Sequence, residues 1–272
     1  MTTRRWIFAV PTLLVVLLAL TGPWLAPGGH TTPSTVPFSG TDGEHLLGTD
    51  FLGRDVLSRV LWGGQVLVLQ AVTATALGSL AGLGLGTWAG LSRHHRAAQA
   101  LLRAVDALAA VPALLLLLLV AAGITGSDTA VAFAVAAVSV PFSVRVNHER
   151  VVHLAATDYA REARARGEST ISRIRYDILP GLAGVALAEA GIRFVAATQL
   201  AATAGFLGLG SAAPAANWGR MVRENSTGLM ANPLPVLVPA ALLVVLAVGA
   251  TVCLDQVTGE RSARPRIAGR PA

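Results

Sequence analysis

Few side chains in this sequence could carry chemistry, and their spacing excludes most reactions. The histidines at 30, 45, 94, 95, 148 and 153 lie in loops or at the ends of apolar runs, with no H-E-x-x-H or cysteine-based metal spacing. His94-His95 has no carboxylate or cysteine near it in sequence, so it reads as a solvated pair and no metal site is expected. Gly82-Leu83-Gly84-Leu85-Gly86 imitates a dinucleotide fingerprint. It lies inside an apolar run with no strand before it and no acid at the right distance after it, which excludes that reading. No G-x-x-x-x-G-K-[ST] occurs, so the chain is not expected to bind or hydrolyse ATP or to act as an enzyme. The single cysteine, Cys253, can form no intrachain disulfide.

Ionisable groups inside apolar runs are functional candidates by default, because burying them is costly. They are few: Asp106 is placed to cap a helix or pair with Arg103, and Glu189 with Arg193, four apart, can meet on one helix face. The Glu189–Arg193 spacing favours a self-neutralising pair over a substrate contact. The largest concentration of charge is Asp158–Pro180, where Arg161, Arg164, Arg166, Arg173 and Arg175 stand against Asp158, Glu162, Glu168 and Asp177. Asp158 can cap a helix starting near Tyr159, Gly167 breaks it, Ser169 can cap a second short helix, and Pro180 marks the next apolar run. Such a knob can dock into a partner's cleft, with Ala163 and Gly167 allowing close approach; anionic lipid head groups are the alternative occupant.

The elements that position these groups are apolar. Hydrophobic residues make up 53% of the 272 residues and charged ones 13%, with a mean hydropathy of +0.61, which indicates an integral membrane protein. Six runs have about the length of a spanning helix: 7–25, 67–91, 101–124, 129–146, 182–203 and 234–254, the fourth being short and ending around Pro141. The first reads as a span and not a cleaved signal peptide, since no A-x-A site follows it. Gly78, Gly82, Gly86 and Gly90 form a stripe that lets a neighbouring helix approach. Phe51, Leu52, Val56 and Leu57 suit a short amphipathic helix leading into the second span. The expected division is 1–65 for the first span and an outer loop, 66–254 for the transmembrane domain with a loop at 155–180, and 255–272 for a tail.

All the basic charge is arginine. With the N-terminus inside, sixteen of the 21 arginines fall on the inner side and four (Arg54, Arg59, Arg220, Arg223) outside. This is the asymmetry of the positive-inside rule; it puts both termini and the 158–180 loop in the cytoplasm and explains the basic charge without nucleic acid.

Several motifs then carry a resemblance over nearly the whole chain. Ala163, Gly167 and Ile178-Leu179-Pro180 resemble the EAA loop of permease subunits in binding-protein-dependent ABC importers. Gly48-Thr49-Asp50 with Gly53-Arg54-Asp55 and Ser58-Arg59 is similar to the outer-loop signature of the C-type permeases of dipeptide, oligopeptide and nickel importers. Phe206, Gly208 and Gly210 with Trp218-Gly219-Arg220-Met221 resemble that branch's outer segment before the last span. Pro23-Trp24-Leu25-Ala26-Pro27 and Arg103-x-x-Asp106-Ala107-Leu108 with Pro112 also fit.

The resemblance implies an all-α integral membrane protein of six transmembrane helices with a cytoplasmic EAA-type coupling loop, in a bacterial-type inner membrane. It implies a translocation pore for di- or oligopeptides, with nickel or a metal chelate as the alternative cargo. The implied partners are a homologous second permease, two cytoplasmic ATPases that bind the ATP and Mg, an extracytoplasmic substrate-binding protein and membrane lipid. The coupling loop would act through Tyr159, Arg161, Glu162, Ala163, Gly167, Leu179 and Pro180. Three departures stand out: Arg161-Glu162 where the loop's Glu-Ala is usual, Gly64-Gln65 where Ala-Arg is common, and Ala201 where an acid is usual. A stand-alone secondary transporter would show inverted repeats or charged, broken helices at the midplane, and neither is evident. A membrane enzyme would need acids, histidines or metal ligands clustered at one depth.

Overall fold

The computed structural model describes residues 3–263 except 30, 34, 125 and 213, with backbone alone for 3–9, 122 and 255–263. Among the described residues the regular elements are helices: α1 Thr3–Leu25, α2 Val56–Leu91, α3 His95–Ala109, α4 Ala113–Gly123, α5 Asp128–Ala155, α6 Asp158–Ala165, α7 Thr170–Arg173, α8 Leu179–Leu207, α9 Trp218–Asn225 and α10 Leu234–Ala263.

Four described stretches are long and apolar enough to cross a membrane: Val56–Leu91, Asp128–Ala155, Thr170–Leu207 and Leu234–Leu254. The run expected as a straight span over 101–124 is instead two helices meeting at 93°. Pro112 causes the break. It disfavours helical backbone in the residue before it, so α3 stops at Ala109 and Pro112 starts α4 afresh. Val10–Leu25 is a shorter apolar helix built into the bundle, with Val15 and Ala19 in the core.

At the centre, α2 packs along α5 through the glycine stripe. A Cβ on Gly78, Gly86 or Gly90 would come within 2.9 Å of Ser139, Val144 or Val151 respectively, and one on Gly82 would collide with Ser143. Close backbone approach is the main attraction available between helices where the surrounding lipid is as apolar as the side chains. This contact carries α5 past the expected end at 146 and through Pro141 to Ala155; Ser127 caps its start by accepting from the Ala130 N–H at 3.2 Å.

At 36 residues, α2 is about 54 Å long, well beyond a bilayer's hydrocarbon core of about 30 Å. It starts at Val56, so the expected boundary at 65/66 falls inside a helix. Phe51 and Leu52 are not helical as expected. They lie in a turn before the helix, because Gly48 and Gly53 have φ of 69° and 75°. A Cβ on either glycine would collide with Ser39 or Thr35 carbonyl oxygen. At the other end, α10 continues to Ala263, into the stretch expected as a tail; 264–272 lie outside the described residues.

Candidate functional site

One end of the bundle gathers the two outer motifs into a single buried cluster. Asp50 is fully buried, and its Oδ1 accepts from the backbone N–H groups of Leu52 (2.8 Å) and Arg54 (2.9 Å). Its Oδ2 accepts from Arg54 Nε at 2.7 Å and from the Arg59 guanidinium. Two arginines on one carboxylate leave a surplus positive charge, and Glu224 of α9 supplies the balance, 3.2 Å from Arg59 and 3.8 Å from Arg54. Burial and the adjacent Arg59 pull the Arg54 guanidinium below the ordinary arginine value, with Asp50 and Glu224 opposing. Asp55 caps α2 by accepting from the Ser58 N–H at 2.7 Å and faces His45 Nδ1 at 3.3 Å. Thr49 pins the preceding loop: its hydroxyl donates to the Val36 carbonyl and accepts from the Ser39 N–H, both at 2.8 Å.

The segment after α8 closes over this turn. Gly208 and Gly210, with φ of 83° and 86°, turn the chain out of the helix. Asn217 caps α9 by accepting from the Gly219 N–H at 2.9 Å. Trp218 is fully buried, and its Nε1 donates to the Val60 carbonyl at 2.7 Å. Gly219 lies so close to α8 that a Cβ would collide with the Ala202 carbonyl oxygen. Asn225 Oδ1 accepts from the Phe51 N–H at 3.0 Å. Arg220 is buried and donates to the Leu209 carbonyl at 3.3 Å; burial lowers its ordinary value while Glu224 and Asp128 oppose. Phe206, expected with this group, stays about half exposed and takes no part. Below it, Asp128 Oδ1 accepts from Gln70 at 3.1 Å and from the Ser211 N–H at 3.1 Å, joining α2, α5 and the end of α8.

Two sequence departures meet at Trp218. A Cβ on Gly64 would collide with its ring, and Ala201 is fully buried in the same apolar cluster. The glycine makes room for the indole. A carboxylate at 201 would be buried among Val60, Leu67 and Met221 without a partner.

At the opposite end lies the 158–180 loop. Thr157, not Asp158, occupies the cap position of α6, and Asp158 falls in the first turn, where its charge favours the helix N-terminus. Gly167 closes α6 with φ of 76°, and the Glu168 N–H reaches back to the Ala163 carbonyl at 3.2 Å. Ser169 caps α7, accepting from the Ser172 N–H at 3.2 Å. The second helix is not separate, as expected; it runs through a π turn, Ile174–Ile178, straight into α8. The widened turn precedes Pro180, whose ring would otherwise press on the carbonyl four residues back.

Ala160 and Ala163 are buried, so Ala163 seats α6 on the scaffold and is not an outward contact surface. What α6, α7 and the π turn present outward is Tyr159, Ile171 and Tyr176, together with Arg161 and Glu162, while Leu179 and Pro180 are exposed at the start of α8. Arg166 is clasped by Glu162 and Glu168, both at 2.8 Å, and its guanidinium is pushed above the ordinary arginine value by the Glu168 bond first.

Between the two ends, Glu189 is buried and accepts from the Ser143 hydroxyl at 2.7 Å. Arg193 Nε lies 3.1 Å from it, an ion pair without hydrogen-bond alignment, and the guanidinium stacks 5.1 Å from the Phe142 ring. The expected Glu189–Arg193 pairing is therefore present. Asp106 instead pairs with Arg145 of α5, whose Nε donates to it at 2.6 Å, and not with Arg103. Sequence reasoning missed Glu224, Asn225, Asp128, Gln70 and Ser143. The one available signal was the surplus positive charge of Asp50 with Arg54 and Arg59, which required another acid.

Residues 82–258 match the family described as binding-protein-dependent transport system inner membrane component. A di/tripeptide transport system permease protein of Pseudomonas aeruginosa is 33% identical over 219 residues, covering 77% of this chain and 71% of that protein. A peptide transport system permease protein of Escherichia coli O6:H1 is 31% identical over 263 residues, covering 94% and 86%. Among solved structures, an inward-facing methionine ABC transporter shares the fold at a TM-score of 0.57 and 17% identity, covering 74% of this chain and 95% of that one. An amino acid ABC transporter with histidines does so at 0.54 and 19%, covering 74% and 94%. The chain belongs to the binding-protein-dependent transport system inner membrane component family, the permease subunits of ABC importers.

Proposed function

We propose that this permease forms part of the translocation pore for di- or oligopeptides and is driven by ATPases docked on the loop 158–180. Six crossings fit this reading, with α1, α2, the broken α3–α4 pair, α5, α8 and α10 as the spans and both termini cytoplasmic. The permease relatives reported above are named for peptides, which favours that cargo over nickel or a metal chelate. ATP and Mg would be held by the ATPases, a second permease would complete the pore, and a substrate-binding protein would deliver peptide to the outer end.

The observation that carries the coupling role is the build of the knob. Ala160 and Ala163 are turned into the scaffold and Tyr159, Ile171 and Tyr176 outward, while nothing lies within 4 Å of a Cβ placed on Gly167. A side chain at 167 would therefore meet little but a docked partner, at the cost of about 1 kcal/mol for a left-handed non-glycine residue. A push on α7 would reach α8 directly, since the two are one continuous helical unit.

Gly167→Asp tests this in vesicles holding the assembled importer. Peptide uptake should fall by at least about tenfold, equivalent to about 1.4 kcal/mol of coupling, while insertion and ATP hydrolysis persist. Wild-type uptake by a normally inserted variant would remove the coupling role.

A further inference from the structure

Where the α2–α3 turn meets the loop 158–180, a cleft of about 420 Å³ is lined by Ser92, Arg93, His95, Arg164, Thr170 and Arg173 among others. No carboxylate lines it. Of the loop's four acids, Glu162 and Glu168 are engaged on Arg166 and Asp158 with Arg161, and Asp177 lines neither this cleft nor its neighbour. Among the described residues, no ion pair joins Arg93, Arg164 or Arg173 to an acid. Arg173 Nε is buried without a hydrogen-bond partner. Three guanidinium groups around one space repel each other unless an anion sits between them, and the planar donor fork of arginine matches a phosphate.

A second cleft, of about 280 Å³, shares Leu91, Ser92, Arg93 and Thr170 with the first and continues onto Trp88 and Ile174. The pair is therefore amphipathic, cationic at one end and apolar at the other, at the end of spanning helices where an aromatic side chain marks the membrane interface. A soluble phosphate would use only the first chamber, whereas an amphiphile fills both.

We propose that the joined clefts hold an anionic phospholipid, its phosphate among Arg93, Arg164 and Arg173 and an acyl chain along Trp88 and Ile174. Basic pockets at the ends of spanning helices are suited to such head groups. The lipid ties the α2–α3 turn to α6 and α7. Tyr159, Ile171 and Tyr176 do not line either cleft and stay available.

The test uses the full chain in phosphatidylcholine vesicles containing a minor fraction of either dibrominated phosphatidylglycerol or dibrominated phosphatidylcholine. Quenching of Trp88 is read as the difference between the wild type and Trp88→Phe. Brominated phosphatidylglycerol should quench more strongly, with the preference falling about fivefold for each of Arg164→Gln and Arg173→Gln. Arg175→Gln, which removes an exposed charge outside the clefts, should leave the preference unchanged. Arg164→Glu, at an exposed position, provides a further variant should Arg173→Gln not fold. Equal quenching by the two lipids, or a preference that survives Arg164→Glu, would overturn the proposal. So would binding of inorganic phosphate by the detergent-purified chain, weakened by Arg173→Gln, without any lipid preference; that result would assign a soluble phosphate site. A preference arising only when ATPase subunits are present would also overturn it, assigning the arginines to an acidic protein surface.

Discussion

Asp50, Arg54, Arg59 and Glu224 at one end of the bundle and the loop 158–180 at the other use the same residue types in opposite ways. The first group is buried, with Asp50 and Arg59 at 0% exposure, and each charge has a partner on another segment. In the second, Arg166 and Glu162 are exposed and pair within the loop. Buried charges are costly to bring together and more costly to separate, whereas exposed pairs contribute little. The buried cluster is therefore a clasp between the turn before α2 and the helix α9. The loop 158–180 is a surface whose charges can be exchanged or shared with something else.

Breaking the clasp should give the largest effect. Asp50→Asn leaves Arg54 and Arg59 buried against each other, and we expect a loss of about 3–5 kcal/mol, read as a large fall in thermal stability in detergent. A variant as stable as wild type would mean that the cluster is hydrated and not a clasp. Glu189→Gln comes next, because it strands Arg193 within a span; about 2–3 kcal/mol and a reduced membrane yield are expected. Normal yield with failed transport would make that pair a substrate contact.

Gly64→Ala, restoring the residue common in the wider branch, should cost about 1–3 kcal/mol by forcing the Trp218 ring to move. If it stabilises the protein, the close packing of Trp218 on α2 is wrong. In the loop 158–180, Arg166→Gln should produce no measurable change in melting temperature, since the pair it forms with Glu162 is exposed. A clear destabilisation would show that the two ends are built alike.

The smallest effect concerns pH in the loop before α2. The His45 N–H, followed in effect by that of Glu44, holds the exposed Asp42 carboxylate below its ordinary value of 3.8. Because the folded value is the lower one, this contribution is complete above 3.8 and is lost as pH falls through the folded value. Protection of the His45 amide proton, measured against the intrinsic exchange rate at each pH, should therefore fall only in that acidic range. Protection that is already lost near neutral pH would overturn this reading of Asp42.

Much of the local architecture was legible in the residues. The glycine stripe announced the α2–α5 contact, the spacing of Glu189 and Arg193 announced their pairing, and Gly167 and Ser169 announced a turn between caps. The misreadings have a common cause. Helix ends and breaks at Val56, Pro112 and Pro141 depend on what packs alongside. Pro112 follows the end of a helix at Ala109, while Pro141 lies within a helix held by α2.

By itself, then, the sequence determined the membrane class, the family through its ordered motifs, and the local turns, because these depend on apolar run length, glycine backbone freedom and spacing along one chain. Only the tertiary structure decided that Arg59 meets Glu224, that Asp106 meets Arg145, that Ala163 faces inward, and that Arg93 joins Arg164 and Arg173 around one cleft. Those pairings span up to 165 positions in sequence, and charge carries no record of its partner until the helices are packed.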